Sequence, residues 1–267
     1  MLVDGKRIAE DIFQEIKNRV KELDNSPHLT VFTCLPNFAT QKYLDLKRQK
    51  AQEVGIDMEV VELTGDITTP EAVELVKESS AKTNGIVVQL PLPTHLELSE
   101  IINAIPLSLD VDGMHYLNTE GGPIHPVAGA IAKIAATHDV HFAGQTVVVV
   151  GQGRLVGQPA ALWAAGQEAI VTTLARDTEN NSELIKNADI LILGAGEPGL
   201  ITPDMVKEGV VIFDAGTSEL GGKLSGDADP DCAKVASLFT PVPGGIGPIT
   251  VAILLNNVLE STIAQNL

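Results

Sequence analysis

Ile8, Ile12, Ile16 and Val20 recur at every fourth position behind Asp4, which predicts an amphipathic helix with an aspartate N-cap. Residues 29–35 form a short apolar run and read as a strand. Helical spacing returns over 37–54, and Gly55 is placed to end that helix in the left-handed conformation. Residues 58–63 read as a strand, and Thr69-Pro70 as the cap and first turn of a helix reaching about residue 82. A buried strand over 85–90 runs into Pro91-Leu-Pro93, and a helix follows over 96–104. An irregular stretch, 110–126, closes this first α/β alternation, and the best domain boundary lies near Asn118.

The second alternation begins with a helix over 125–137. Residues 146–150, a threonine and four valines, predict a fully buried strand that runs into Gly151-Gln-Gly153-Arg-Leu-Val-Gly157. Helices over 155–165, 182–187 and 203–207 then alternate with strands over 169–174, 189–193 and 210–214. A last helix spans about 248–265, directly after Thr-Pro-Val-Pro-Gly-Gly-Ile-Gly-Pro-Ile-Thr at 240–250. Three prolines there remove three amide donors, and three glycines open backbone conformations closed to other residues. So stiff and bare a segment suits a ligand lying against its backbone better than a plain connector.

Composition narrows the picture. The chain of 267 residues is 44% hydrophobic but only 3% aromatic, so its core is built from aliphatic residues, as suits buried parallel strands under helices. No apolar run approaches the roughly 20 residues of a membrane span, and the first residues lack a signal-peptide pattern. Cys34 and Cys232 are the only cysteines, which fits a reducing compartment, the cytoplasm by default. A net charge of −17 disfavours nucleic acid and anionic membranes as partners. Against it, residues 41–50 hold Lys42, Lys47, Arg48 and Lys50 with Asp45 alone, either a solvated helix face or a dock for an anion.

Several residues have the right chemistry for a site. Gly151, Gln152, Gly153 and Gly157 lie between a strand and a helix, where backbone amides meet a dinucleotide pyrophosphate. The next strand ends at Ala175-Arg176-Asp177; Asp177 suits a ribose diol and NAD, whereas Arg176 suits a 2′-phosphate and NADP. Tyr43 and Lys47, four apart, project from one helix face. Gln89 puts an amide at the end of an apolar strand, and Asp110-Val-Asp112-Gly113 supplies carboxylates in a loop. His138-Asp-Val-His141 has no third or fourth ligand nearby, so no metal is expected.

Tyr43-x-x-x-Lys47-Arg48, Val88-Gln-Leu-Pro-Leu-Pro93, Asp110-Val-Asp-Gly113 and Pro241-Val-Pro-Gly-Gly-Ile-Gly-Pro248 occur in that order. So arranged, the chain resembles the methylenetetrahydrofolate dehydrogenase/methenyltetrahydrofolate cyclohydrolase family over essentially its whole length. The resemblance implies two α/β domains with a cleft between them: a folate-binding catalytic domain (1–118 and 247–267) and a Rossmann-like doubly wound NAD(P)-binding domain (119–246). It implies oxidation of 5,10-methylenetetrahydrofolate with NADP, then hydrolysis of the methenyl product to 10-formyltetrahydrofolate, in one-carbon metabolism and purine biosynthesis. Lys47 takes the place of the family's essential lysine, Gln89 of the amide that tunes it, Tyr43 of the aromatic residue lining the folate, and Asp112 of the carboxylate that grips the pterin. Val88, Leu90, Pro243, Gly244, Gly245, Ile246 and Gly247 fall in its substrate-contacting segments, and Arg176 and Thr217 beside its cofactor. A homodimer is likewise implied.

Leu35 and Phe38 stand where the family usually has Gly and Pro, Gln49 where a further lysine is common, and Gly153 at the position of a frequent serine. Two alternatives therefore stay open. One is a family member keeping only the cyclohydrolase or an NAD-dependent dehydrogenase; the other is a non-catalytic relative that binds folate or nucleotide.

Overall fold

The computed structural model describes residues 1–115, 122–175, 181–220 and 223–266, and the side chains of 39, 219, 220 and 223 are left aside. Arg176, Asp177 and Asn118 fall outside the described residues. The chain divides into two compact units, one made of Glu10–Pro126 with Val251–Leu267, the other of Met1–Ala9 with Val127–Thr250.

In the first unit, helix α1 (Gly5–Val20) leads to β1 (His28–Cys34), α2 (Phe38–Val54), β2 (Asp57–Leu63), α3 (Thr69–Ser79), β3 (Gly85–Val88) and α4 (Leu98–Asn103). Asp4 caps α1 as its sequence predicts, accepting from Arg7 N at 3.1 Å. The strands form a parallel sheet in the order β2-β1-β3, with Leu29 opposite Gly85 and Phe32 opposite Val88. A core of Phe32, Leu63, Val76, Ile86, Ile101 and Leu109 fills one side. Two of the shifted boundaries have a local cause. Helix α3 is capped by Thr68, not Thr69, because Glu71 completes a reciprocal capping box with Thr68. Strand β3 stops at Val88: Gln89 N still reaches Phe32 O of β1 at 2.8 Å, and Pro91 and Pro93 beyond it have no N–H to carry the ladder further.

The second unit begins with α5 (Pro126–Thr137) and continues through β4 (Thr146–Val150), α6 (Gly157–Gly166), β5 (Ile170–Leu174), α7 (Asn181–Asn187), β6 (Ile190–Leu193) and β7 (Val211–Asp214). A short antiparallel pair, β8 (Ser218–Leu220) and β9 (Lys223–Ser225), precedes β10 (Leu238–Phe239). The parallel sheet runs β10-β7-β6-β4-β5, so the chain reverses direction of winding at β4 and β6. The crevice outside the carboxyl ends of the two strands flanking such a switch point is where this architecture binds ligands. The helix expected over 203–207 is one 3-10 turn, Pro203–Met205, ended by the extended backbone of Val206. The three short strands β8, β9 and β10 have too few residues to show a period in the sequence.

The last helix, α8 (Ile246–Gln265), starts two residues before its expected position. It is long and apolar enough by length and composition to cross a membrane, contrary to the sequence expectation, but 67% of that window is buried within the fold. Its buried polar residues each find carbonyls: Asn257 Nδ2 donates to Val111 O and Ile124 O at 2.8 and 2.9 Å, and Ser261 Oγ, with one proton to give, lies 2.6 and 2.7 Å from Asn84 O and Ser108 O.

Candidate functional site

Helix α2 sets the first group of predicted residues. Asn37 caps it by accepting from Thr40 N at 2.9 Å, and Gly55 ends it at φ 87°. One turn apart on this helix, Tyr43 lays its ring 4.8 Å from the Lys47 Nζ. That amine donates to Gln89 Oε1 at 3.0 Å. The other end of the Gln89 amide is committed, its Nε2 donating to Leu90 O at 2.9 Å, so the oxygen is the end turned to the lysine. Backbone pairing of Gln89 N with Phe32 O anchors the residue just past β3, between buried Val88 and half-buried Leu90.

Lys47 is only 4% exposed. Burial lowers its pKa below the ordinary 10.5, and the charge of Asp112 pulls the other way. An amine with a depressed pKa and one fixed amide acceptor is a better proton carrier than a solvated lysine.

Asp112 sits on a loop that its neighbours hold firmly. Asp110 pairs alongside Ile86 of β3, and its buried carboxylate accepts from Met114 N at 3.1 Å and from His115 N and Nδ1 at 2.8 Å each. Gly113 has φ 63°, and a Cβ there would lie 2.9 Å from the His125 backbone, so only glycine fits. His125 is buried, which lowers its pKa, while Asp112 and Asp110 raise it. Thus Tyr43, Lys47, Val88, Gln89, Leu90 and Asp112 are gathered in one unit. Asp110, which the sequence offers only as a loop carboxylate, braces that loop, and Asn257, which the sequence does not mark, ties Val111 O and Ile124 O beside it.

The basic window does not stand free. Lys47 is interior, Arg48 pairs with Asp45 at 3.2 Å, Lys50 pairs with Glu53 at 2.7 Å, and Lys42 lies 4.3 Å over the Phe38 ring. Phe38 and Leu35 themselves are 73% and 70% exposed.

In the second unit, the glycines after β4 divide by role. Gly151 has φ 98°, and a Cβ on it would come within 2.5 Å of Gly194 O; one on Gly157 would come within 1.9 Å of Gly151 O. A Cβ on Gly153 would meet nothing within 4 Å, so that position keeps open space above the loop. Helix α6 begins at Gly157 with no side chain capping it. Gln152 is exposed, its Nε2 3.4 Å from Thr173 Oγ1. These residues fit a dinucleotide: close-packed Gly151 and Gly157, with open Gly153 between them, lead into the start of α6 at the switch point. Thr217 is exposed just beyond β7.

Residues 240–247 fold into a tight turn before α8. Gly244 adopts φ 106°, Gly245 N donates to Pro241 O at 2.7 Å, and Gly5 N donates to Gly244 O at 3.0 Å. A Cβ on Gly245 would approach Pro241 O to 2.6 Å, whereas one on Gly247 would be unopposed. Closing the turn thus explains Gly244 and Gly245; Pro243 lies within that turn, and Ile246 and Gly247 open the helix. Among the described residues, no three His, Cys, Asp or Glu side chains converge as a metal site.

Residues 3–112 match the family described as tetrahydrofolate dehydrogenase/cyclohydrolase, catalytic domain, and residues 126–266 match its NAD(P)-binding domain. Bifunctional protein FolD of Exiguobacterium sibiricum is 37% identical over 273 residues, covering 98% of this chain and 99% of that protein. The crystal structure of the bifunctional enzyme FolD, methylenetetrahydrofolate dehydrogenase/cyclohydrolase, from Campylobacter jejuni has a TM-score of 0.95 at 34% identity, covering 99% of both chains. The Trypanosoma brucei enzyme, complexed with NADP cofactor and inhibitor, has a TM-score of 0.92 at 29% identity over 100% of this chain and 98% of that one.

Proposed function

The chain belongs to the tetrahydrofolate dehydrogenase/cyclohydrolase family, and from that premise we propose that it is a bifunctional enzyme of one-carbon metabolism. It oxidises 5,10-methylenetetrahydrofolate to the methenyl cation with NADP, then hydrolyses that cation to 10-formyltetrahydrofolate. The observation that carries the reading is the buried Lys47 amine, bonded to Gln89 at 3.0 Å under the Tyr43 ring.

NADP, when bound, accepts the hydride that leaves the methylene carbon. Gly151, Gln152, Gly153 and Gly157 would hold its pyrophosphate at the start of α6, Thr217 would be a further contact, and Arg176 is the residue assigned to its 2′-phosphate. We assign folate chemistry to residues 1–118 with 247–267 and dinucleotide binding to 119–246; the family match at 3–112 supports the first part, and the packing of Val251–Leu267 into one compact unit with Glu10–Pro126 supports adding the last helix to it.

In hydrolysis, neutral Lys47 takes a proton as water adds to the methenyl carbon. Gln89 keeps the amine aimed through this step. As the bond from that carbon to N5 breaks, Lys47 returns the proton to N5, and the carbinol oxygen loses its own proton to solvent and becomes the formyl oxygen. One proton is released overall. The Tyr43 ring supports the folate face, Asp112 accepts N–H donors from the aminopyrimidine edge, and Val88, Leu90 and the backbone of Pro243–Gly247 contact substrate.

Lys47→Ala is the test. Decay of methenyltetrahydrofolate should fall by about a hundredfold or more, and the parent's rate should climb with pH along a limb below 10.5 that the variant lacks. A variant as fast as the parent removes Lys47 from the chemistry.

We further infer a homodimer joined along β5. That strand is the outer edge of its sheet, and Ile170 is 62% exposed. Two free cysteines, both buried, support a cytoplasmic enzyme supplying formyl groups to purine biosynthesis, and the charge of −17 argues against nucleic acid or membrane partners.

A further inference from the structure

Two carboxylates with no part in the chemistry above are buried together beyond the carboxyl ends of β6 and β7. Asp214 is 1% exposed and Asp227 is 0% exposed. Buried carboxylates are costly unless hydrogen-bonded, so what they bind shows what they are kept for. Asp214, the last residue of β7, accepts from Gly216 N at 2.9 Å, Asp227 N at 3.2 Å and Ala228 N at 2.9 Å. It therefore seats the backbone of Asp227. Asp227 in turn reaches the loop after β6, accepting from Ala195 N at 2.6 Å, Gly196 N at 3.2 Å and Glu197 N at 2.8 Å.

The surroundings leave no slack in this relay. A Cβ on Gly216 would lie 2.2 Å from the Asp227 Cγ, and one on Gly226 would lie 2.1 Å from Asp214 Oδ2. From the far side, Ser218 Oγ donates to Gly196 O at 2.8 Å. The clamped loop then meets the glycine loop after β4, because Gly194 O and Ala195 N are the atoms that a Cβ on Gly151 would strike, at 2.5 and 2.9 Å. Burial pushes the Asp214 carboxyl up to about 6, with the charge of Asp227 adding to the rise, so this anchor is kept against an electrostatic cost.

We propose that Asp227, seated by Asp214, is a positioning residue for dinucleotide binding, holding residues 194–197 in the shape on which the glycine loop of 151–157 rests. It touches neither reacting atoms nor cofactor; it acts through the backbone that does. The inference rests on the NADP reading above.

Asp227→Asn tests it, because an amide keeps one acceptor oxygen and turns an NH2 group toward the one or two N–H donors that the other oxygen served. In the full-length chain, calorimetric titration should show the Kd for NADP raised by about tenfold or more. KM for NADP should rise with it while kcat at saturating cofactor changes by less than about threefold. Decay of methenyltetrahydrofolate, which needs no dinucleotide, should stay at the parent's rate, and amides 195–197 should exchange hydrogen faster. Ser218→Ala, a milder change at the same loop, should raise Kd by about two- to fourfold, and it decides the matter if Asp227→Asn does not fold. An unchanged Kd in the folded variant overturns the proposal, as does equal loss of NADP binding and methenyl hydrolysis. Failure of the parent to bind NADP overturns the reading beneath it instead.

Discussion

A lysine held almost free of water costs folding stability, and that cost is the form in which its reactivity is stored. Because burial depresses the Lys47 pKa, the folded state binds fewer protons than the unfolded chain in the window between the depressed value and 10.5. The penalty is complete below that window and is relieved as pH climbs through it. Lys47→Met removes the charge and fills similar space, while half-buried Gln89 can turn its oxygen to solvent. This variant should be inactive in methenyl hydrolysis yet melt a few degrees higher at neutral pH, by about 1–2 kcal/mol. The gain should shrink as the melts are repeated toward pH 10.5. A lower melting temperature than the parent at neutrality would contradict the burial argument.

At the scale of elements, the acidic loop depends on a helix far from it in sequence. Asn257 on α8 ties Val111 O and Ile124 O, so both arms of the stretch carrying Asp112 hang from one side chain. Asn257→Ala leaves two carbonyls without that donor and should cost about 2 kcal/mol or more in chemical denaturation. It should also raise KM for methenyltetrahydrofolate while leaving the lysine's pH limb in place; unchanged KM would detach the loop from substrate binding. Much of this arrangement was legible beforehand. The fourfold spacing of Tyr43 and Lys47 put both on one face, and the valine run before Gly151 marked β4. What escaped were long-range partners: Asn257 lies among helix-forming apolar residues with no local sign of its acceptors, and Asp214 and Asp227 read as ordinary acids because amides, not cations, answer them. Composition hid another point, since the hydropathy that makes α8 long enough for a bilayer is the same hydropathy that a central helix needs.

For the molecule as a whole, the exposed edge of β5 is the feature to explain. An unpaired edge bearing Ile170 invites pairing with another chain unless something blunts it. With a homodimer joined along β5, as proposed, Ile170→Lys should sediment as a monomer where the parent sediments as a dimer, without loss of methenyl hydrolysis. A variant that stays dimeric moves the seam elsewhere, and a monomeric parent removes it.

The second unit has one more pairing. Val3 N donates to Phe239 O and Phe239 N to Met1 O, each at 2.9 Å, so residues 1–3 lie beside β10 as an added strand. Some 236 positions separate the partners of this border. At ribosomal speed that interval lasts on the order of ten to fifty seconds. Throughout it, the segment must remain available, neither captured by the intervening helices nor stuck to a neighbour on the polysome, until the strand it completes has emerged.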